Sequence, residues 1–242
     1  MSRRKKRIIN KIKVTLNSPK ENKSSKWEKV RGWIAVIASV LTILTFGFFI
    51  YDRYHKEDKV ETLKKEILST IEDIGKDLNS NAITNSPDST FIREYQQAVA
   101  SVCAQWRSLE GNNMFSDLKS RSVEEKKTIA DDYLSRWRTH QITKIAVLYS
   151  LTKLNTESNS LGMDYSKVLS MQEQENKSHK ARGKYFDTIK QHLLSQNADG
   201  VIEELDKVRN DIDCLKFDKE FFEYVKEANK LVNSTIMSQK SL

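Results

Sequence analysis

The run Arg136-Trp137-Arg138, followed two positions later by His140, is the most conspicuous combination of cationic and aromatic residues in the sequence. Arginine and tryptophan are enriched at the energetic centres of binding interfaces, and cations are attracted to aromatic faces. Helical spacing also allows a simpler interpretation, in which Trp137 fills a core while both arginines reach solvent. We favour the simpler interpretation and keep the four residues as a candidate patch for a protein partner.

Cys103 and Cys214 are the two cysteines of the chain, and their number and spacing fit neither a disulfide scaffold nor a metal site. Each lies on an apolar face of a predicted helix. A disulfide would form if the two helices were adjacent and the Cα atoms close enough, whereas buried free thiols pack like small hydrophobic side chains. The sequence leaves both states open.

Sequence motifs of common enzyme classes are missing from the chain. It has no G-x-S-x-G, no Walker glycine loop, no G-x-G-x-x-G and no H-E-x-x-H, and it lacks the Glu-x-x-His pairs of di-iron bundles. The four histidines lie in different segments, at positions 55, 140, 179 and 192. We therefore predict a protein that is not an enzyme and that uses no cofactor or metal.

Glycine and proline are scarce in this chain, which has seven glycines and two prolines in 242 residues. Average usage would give roughly 17 glycines and 12 prolines in a chain of this length. Folds rich in sheets and tight turns need these residues more often. The composition therefore predicts an all-α protein with long helices and few connections.

Residues 33–51, WIAVIASVLTILTFGFFIY, contain no charged side chain. A helix of this length spans about 28 Å, close to the hydrocarbon thickness of a bilayer. Trp33 and Tyr51 lie at its ends, where aromatic rings prefer the headgroup layer. A buried helix of a soluble protein would need an apolar shell, and a signal peptide would be shorter and end in small residues. We predict a single transmembrane signal anchor over residues 32–52.

Positive charge is concentrated ahead of this segment. Residues 1–31 hold twelve lysines and arginines against two glutamates, a net charge of +10, whereas the whole chain carries +8. Lysine and arginine close to a membrane span resist translocation and stay on the cytoplasmic side. We expect the N-terminus in the cytoplasm and the C-terminal domain outside it, in a single-pass membrane protein.

The basic tail over residues 1–31 shows the pattern of an amphipathic helix that lies on a membrane surface, because four aliphatic residues share one face among the cations. Each cation near an anionic membrane surface contributes about 1 kcal/mol to binding. The residues predicted to contact anionic lipids are Arg3, Arg4, Lys5, Lys6, Arg7, Lys11 and Lys13. Alternatively, these cations only determine the topology. No recognition motif supports nucleic-acid binding.

Apolar residues recur every three or four positions over residues 53–80, which predicts a juxtamembrane helix. Its apolar stripe either packs on later helices of the same chain, which we favour, or pairs with a second copy as a short coiled coil. Polar breaks separate further amphipathic helices, which start near Ser89, at the Ser122–Glu125 capping box, near Asp164 and at Asp199. Residues 89–242 are therefore predicted to form an antiparallel helical bundle.

Details of the bundle follow from the same patterns. The helix after Asp164 turns polar over residues 172–184, which requires either a projection into water or a break near Gly183. A turn or kink is expected near residues 214–218. The core candidates on the helix after Ser122 are Ile129, Tyr133, Trp137, Ile145, Leu148 and Leu151.

Two functional hypotheses follow from this architecture. The first is a non-enzymatic interaction or sensor module, whose helical bundle binds a protein partner while the anchor holds it at the membrane. The second is a homo-oligomeric membrane effector that perturbs the bilayer, as in cell-suicide or phage-defence systems. Ala35, Ser39 and Thr42 would form a small-residue face for helix association in the anchor. An enzyme with an unfamiliar site is the least favoured class.

Overall fold

The computed structural model describes residues 23–80, 89–110, 115, 117–157 and 164–240. This description leaves out some side chains within the helices, namely those of residues 23–40, of residues 235–240 and of a few isolated positions. The described residues form helices and their connections, without strands, which confirms the all-α prediction. The elements are α1 (Lys23–Ser80), α2 (Ser89–Glu110), a 3₁₀ turn (Leu118–Ser120), α3 (Val123–Glu157), α4 (Tyr165–Leu194), α5 (Ala198–Arg209) and α6 (Ile212–Lys240).

The chain divides into two compact units, Met1–His55 and Lys56–Leu242. In the first unit, several large apolar side chains of α1 are between 51% and 74% exposed, namely Leu41, Leu44, Phe48, Ile50 and Tyr51. A membrane anchor was predicted over residues 32–52, but no helix, within the part of the chain that is described, is long and apolar enough to span a membrane. The first 22 residues of the predicted basic tail lie outside the described residues.

The apolar stripe predicted over residues 53–80 packs inside the second unit. Ile67, Ile71 and Ile74 of α1 are fully buried, and Leu63 and Leu78 are partly buried beside them. They belong to a hydrophobic cluster that also contains side chains of α2, α3, α4 and α6. The stripe therefore packs on later helices of the same chain, as the favoured interpretation predicted.

The predicted capping box starts α3. The Ser122 N–H donates to Glu125 Oε2 at 2.8 Å, and the Glu125 N–H donates to Ser122 Oγ at 3.2 Å. These reciprocal bonds satisfy two amides that a helix start would otherwise leave unpaired. The predicted core residues of α3 are buried, with one exception. The prediction is wrong for Ile145, which is 61% exposed because it lies on the solvent face of the helix.

Helix α4 begins where the sequence predicted, since the Asp164 side chain accepts a hydrogen bond from the Ser166 N–H at 2.9 Å. Of the two alternatives for its polar stretch, the break near Gly183 is wrong, because the helix continues to Leu194. The polar stretch of residues 172–184 has a different explanation. Three of its polar side chains are buried in the bundle, namely Glu175, Ser178 and Arg182. Lys144 of α3 bonds to Glu175, Arg182 bonds to Asp218 of α6, and Ser178 accepts a hydrogen bond from Arg182 of α4 itself.

Two predicted boundaries in the last third of the chain are shifted. Asn197, rather than Asp199, caps α5, because its side chain accepts a hydrogen bond from the Gly200 N–H at 3.1 Å. The turn expected near residues 214–218 lies earlier, and α6 is continuous from Ile212 to Lys240. Asp211 caps α6, since its side chain accepts a hydrogen bond from the Cys214 N–H at 2.9 Å.

Two hydrophobic clusters hold the second unit together. The larger one contains Phe221 and Phe222 of α6, which are fully buried against α1, α2 and α3. The smaller one joins α2, α3, α4 and α5 around Trp137 and Phe186, whose ring centroids are 4.2 Å apart. The larger cluster holds one face of α6, both clusters hold residues of α4, and each of these two helices keeps another face at the surface.

Candidate functional site

A groove of about 650 Å³ runs along α6, between α4 and the part of α1 that contains Leu63. Volumes of this size are typical of ligand-binding clefts. Helix α6 forms its floor, α4 forms one wall, and Leu63 of α1 contributes the other wall. The lining residues are Leu63, Lys167, Ser170, Met171, Gln174, Lys216, Lys219, Glu220, Glu223, Tyr224 and Glu227.

Helical spacing explains why these residues line one groove. On α6 the lining residues recur every three or four positions from Lys216 to Glu227, so they form a single stripe along the helix. On α4 the same spacing places Lys167 and Gln174 on one face. Gln174 Nε2 donates to Glu220 Oε2 at 2.9 Å, which joins the two helices across the floor. The groove is therefore built from one face of each helix, with the opposite faces in the core.

The groove is rimmed by equal numbers of positive and negative side chains. Three lysines and three glutamates line it, so it has no net charge. Lys219 pairs with Glu66 of α1 at 2.6 Å, and this hydrogen bond raises the pKa of Lys219. Lys167 lies 3.8 Å from Glu227 at the other end. Such a rim favours a neutral or zwitterionic ligand over a polyanion.

Two buried polar atoms of the groove residues lack hydrogen-bond partners within the described part of the chain. They are the Tyr224 hydroxyl and Gln174 Oε1. Tyr224 is only 8% exposed. Burial, followed by the nearby carboxylates of Asp164 and Glu227, raises the pKa of Tyr224 to about 12, so the phenol stays protonated and can donate a hydrogen bond. Twelve other buried side-chain atoms of the described residues are in the same state, including both ring nitrogens of His140 and Glu175 Oε2.

A cluster of buried charges lies in the core, next to the groove residues along both helices. Lys144 of α3 contacts Glu175 Oε1 at 2.9 Å and Asp218 Oδ1 at 2.7 Å. Its Nζ also lies 4.7 Å from the centre of the Phe221 ring. Glu175 directly follows Gln174 in sequence, and Asp218 directly precedes Lys219. The groove wall and the charge cluster are therefore formed by the same turns of α4 and α6.

Arg182 completes the charge cluster from α4. Its guanidinium donates to Asp218 Oδ2, to Ser178 Oγ at 2.6 Å and to the Cys214 carbonyl at 3.1 Å. Burial alone would raise the pKa of Asp218, but Arg182 and Lys144 outweigh it and hold the pKa well below its usual value. Two cations and two carboxylates thus compensate one another inside the bundle, as buried charges must.

His140 lies beside this cluster without a hydrogen-bond partner on either ring nitrogen among the described residues. Burial, followed by the positive charge of Lys144, lowers the pKa of His140 to about 3. The imidazole is therefore neutral at physiological pH. It shares a cavity of about 10 Å³ with Trp137, Arg182 and Asp218, which is room for about one water molecule.

The cysteines are two separate buried thiols in this structure. Burial raises the pKa of Cys103 to about 12 and that of Cys214 to about 12. A thiol with so high a pKa is a poor nucleophile, because the thiolate is the reactive form. The described residues also contain no group of three or more His, Cys, Asp or Glu side chains that could hold a metal ion.

The structure separates the four residues of the candidate partner patch. Trp137 and His140 are buried, while Arg138 is exposed on the outer face of α3. Arg136 is half-buried and bonds to Asp132 at 2.9 Å and to Ser108. The favoured interpretation of Trp137 as a core residue agrees with this placement. Burial of His140 was not foreseen.

The other predicted sites fall largely outside the described residues. The lipid-contacting residues Arg3, Arg4, Lys5, Lys6, Arg7, Lys11 and Lys13 belong to residues 1–22, which are not described. Ala35 and Ser39 lie within α1, but their side chains are not described either. Thr42, the third member of the small-residue face, is exposed.

The sequence contained one signal for the charge cluster and none for the groove. Lys144 lies seven residues after Trp137 and four before Leu148, so helical periodicity places this lysine on the core face of α3. A lysine at a core position needs buried carboxylates nearby. No comparable pattern identifies the groove, because its walls come from helices that are far apart in sequence.

Comparison with known proteins gives no assignment. No protein family, curated protein or solved structure matches this chain. The groove and the charge cluster are the two polar features of the bundle that bear on function, and only the groove is open at the surface.

Proposed function

We propose that this chain is a membrane-anchored, non-enzymatic binding module that receives a partner in the groove formed by α1, α4 and α6. The groove itself is the observation that supports the proposal most. It has the volume of a binding cleft, it is open at the surface, and polar and charged side chains of α4 and α6 line it.

Membrane anchoring is supported by the sequence around residues 32–52. The apolar segment has the length of a bilayer span and follows a segment with a net charge of +10. The large apolar side chains described near its end, such as Leu44 and Phe48, are exposed rather than covered by protein. Exposed apolar surface of this kind marks a membrane or protein contact. The N-terminus would be cytoplasmic and the bundle extracytoplasmic.

A binding role is favoured over catalysis by the state of the reactive groups. The two thiols are buried with raised pKa values, and the buried carboxylates pair with Lys144 and Arg182. The imidazole of His140 is enclosed in the core. None of these groups lines the groove. The side chains that do line it include lysines, glutamates and a glutamine, which recognise a partner by hydrogen bonds and charge.

Blocking the groove tests the proposal. Ser170 is exposed and lines the groove, whereas Ser135 is exposed on the outer face of α3. Full-length Ser170→Trp and Ser135→Trp would be purified in detergent from native membranes, and bound proteins quantified by mass spectrometry. We expect a partner to be lost with Ser170→Trp and retained with Ser135→Trp. Equal recovery with both variants would contradict the groove as the binding site.

Anchoring and topology have their own experiment. A reporter enzyme that folds only outside the cytoplasm should be active when it is fused after Leu242. In a separate assay, the chain should stay in the membrane fraction after alkaline carbonate extraction. Release of the chain into the soluble fraction would contradict anchoring. A reporter that is active only on the cytoplasmic side would reverse the proposed orientation.

The second candidate function is a homo-oligomeric effector that perturbs the bilayer. The observation that favours it is the exposed apolar side chains of α1, which another copy of the helix would cover in place of lipid. Growth arrest on overexpression should then disappear with Ala35→Leu combined with Ser39→Leu. Val40→Phe, on the opposite face by helical spacing, serves as control. Growth arrest that persists in the variant carrying both Ala35→Leu and Ser39→Leu would exclude association through the small-residue face.

A further inference from the structure

We propose that the outer face of α3 rests on the lipid headgroups of the membrane in which the chain is anchored. This face is defined by Arg138, Ile142, Ile145, Tyr149 and Lys153. The inference goes beyond the proposed function, because it concerns another surface of the bundle and a lipid instead of a protein partner. It relies on that proposal only for the anchor, which keeps the bundle close to a bilayer.

Three apolar side chains of this face are exposed. Ile142, Ile145 and Tyr149 are 66%, 61% and 59% exposed, whereas Val147 and Leu148, on the core side of the same turns, are buried. Spacings of three and four residues place the three exposed side chains on one stripe of the helix. Single exposed apolar residues are ordinary on a protein surface, but a contiguous group marks a contact with a membrane or another protein.

The charges of α3 change along its length in a way that suits an anionic surface. Residues 123–132 contain four carboxylates, whereas residues 133–156 contain none. Arg138 is exposed one turn before the apolar stripe, and Lys153 follows the stripe by one turn, with 38% of its side chain exposed. The stripe thus lies between two cations, and no carboxylate of its own helix segment repels anionic headgroups.

Each side chain of the face has a preferred depth in a membrane interface. Isoleucine enters the boundary between headgroups and acyl chains, and tyrosine rings favour the headgroup layer. The long stems of lysine and arginine lie along apolar surface while their charges reach the phosphates. Lys153 Nζ lies 4.9 Å from the centre of the Tyr149 ring and 4.0 Å from Glu94 Oε2 of α2. An ion pair this long and this exposed is weak, so the lysine is available to a phosphate.

Other occupants fit this face less well than a bilayer. A stable protein interface, including one with a second copy of the chain, needs about 800 Å² from each partner, and three partly exposed side chains provide much less. Nucleic acid would need more cations than Arg138 and Lys153 supply. A bilayer needs neither a matching shape nor a large contact area, since the anchor already holds the chain beside it.

Contact through α3 also leaves the groove accessible. Lys144 and Asp218 join the core faces of α3 and α6 at 2.7 Å, so the outer faces of these two helices point away from each other. The outer face of α6 forms the floor of the groove. A bundle that lies on the bilayer with α3 therefore presents the groove on the side away from the lipid, where a partner can reach it.

Fluorescence quenching by lipid tests the contact. Full-length protein with Ile142→Cys on the proposed face, or with Lys230→Cys at an exposed position of α6, would be labelled with an apolar fluorophore. Cys103 and Cys214 are buried and do not compete for the label. Single copies would be reconstituted into nanodiscs of phosphatidylcholine and phosphatidylglycerol that contain spin-labelled lipid as quencher. We expect about threefold stronger quenching at 142 than at 230, because only position 142 meets the headgroup boundary.

Matched variants separate lipid contact from folding. Ile145→Glu places a charge in the exposed stripe and should lower quenching at 142 to the level at 230. Leu194→Glu changes a residue that is 80% exposed at the end of α4 and should have no effect. Equal quenching at 142 and 230, or quenching at 142 that Ile145→Glu leaves unchanged, would overturn the inference. A fluorophore at 142 that is shielded only in discs with two copies would also overturn it, since a second chain would then cover the face.

Failure of the lipid contact can be told apart from failure of the proposed function. Ser170→Trp should leave quenching at 142 unchanged, because the groove lies on the other side of the bundle. If quenching at 142 and 230 is equal while Ser170→Trp still abolishes partner capture, the groove remains the binding site and only the lipid contact is wrong. Release of the chain by alkaline carbonate would overturn the anchor, and the inference with it.

Discussion

Lys144 and Asp218 form an ion pair of 2.7 Å inside the bundle, with side chains that are 0% and 5% exposed. The pair joins α3 to α6, and Glu175 and Arg182 extend it to α4. Removing charges from water costs several kcal/mol per ion unless each charge finds partners. The cluster therefore fixes the mutual register of three helices, two of which form the groove.

Removing one partner of this pair should destabilise the fold strongly. We expect Lys144→Met to lower the free energy of unfolding by about 3–5 kcal/mol, because two buried carboxylates lose their shared cation. Urea denaturation followed by circular dichroism measures the change. Lys65→Met, which breaks an exposed pair of 3.5 Å with Glu61, should cost less than about 1 kcal/mol. Similar effects of both variants would show that the buried cluster is not a major source of stability.

Acid should destabilise the bundle through His140. Its pKa falls from 6.5 to about 3 on folding, so the unfolded chain binds the proton more readily. The stabilisation is complete above pH 6.5 and is lost as the pH falls toward 3. Between pH 7 and pH 5 we expect a loss of about 2 kcal/mol that is absent in His140→Gln. An identical pH dependence in His140→Gln would contradict this, and His55→Gln, an exposed position, is the control.

A second acid transition should involve Asp218. Its pKa lies below the ordinary value of 3.8, because Arg182 and Lys144 outweigh the effect of burial. The stability from this carboxylate is present above pH 3.8 and is lost as the pH falls further. Below pH 4, the free energy of unfolding obtained from denaturation curves should therefore fall more steeply with decreasing pH in wild type than in Asp218→Asn. Parallel curves would indicate that Asp218 titrates alike in the folded and unfolded chains.

Tyrosine hydroxyls should fall into two classes. The Tyr95 hydroxyl is buried without a partner in the described residues, whereas Tyr185 donates to Asp211. Tyr95→Phe should leave stability unchanged or raise it by about 1 kcal/mol, and Tyr185→Phe should lower it by about 1–2 kcal/mol. Thermal unfolding distinguishes the two. A marked loss with Tyr95→Phe would reveal a partner for its hydroxyl.

The thiols should be unreactive in the folded protein. Cys103 and Cys214 are buried and unpaired, and burial raises both pKa values to about 12. Iodoacetamide at pH 8 should modify neither residue in native protein and both in urea, as read by mass spectrometry. Rapid labelling of native protein, or a band shift on reduction in gel electrophoresis, would contradict two buried free thiols.

Local rules predicted the parts of the fold that depend on neighbouring residues. The Ser122–Glu125 capping box and the Asp164 cap follow from short-range chemistry, and both are present. The stripe of Ile67, Ile71 and Ile74 was also readable from spacing. The prediction that Ile145 is buried was wrong, because periodicity identifies a face of the helix but does not show how far the neighbouring helices cover that face.

Long-range pairing explains what the sequence did not predict. The polar stretch of α4 left a projection into water or a break near Gly183 as the explanations. The partners of Glu175 and Arg182 lie 31 and 36 residues away in sequence, at Lys144 and Asp218, so neither explanation was the right one. The groove depends likewise on how α1, α4 and α6 pack. The groove has no local signature and could not be derived from one sequence. For the charge cluster, helical spacing places Lys144 on the core face of α3 but does not identify its partners.

Site-specific crosslinking in native membranes tests the groove most directly. A photo-reactive amino acid would replace Ser170 in the groove or Ser135 on the outer face of α3, and adducts would be compared after illumination of intact cells. We predict a discrete adduct at Ser170 and none at Ser135. Adducts of equal yield at both positions, or none at Ser170, would contradict a binding module that uses this groove.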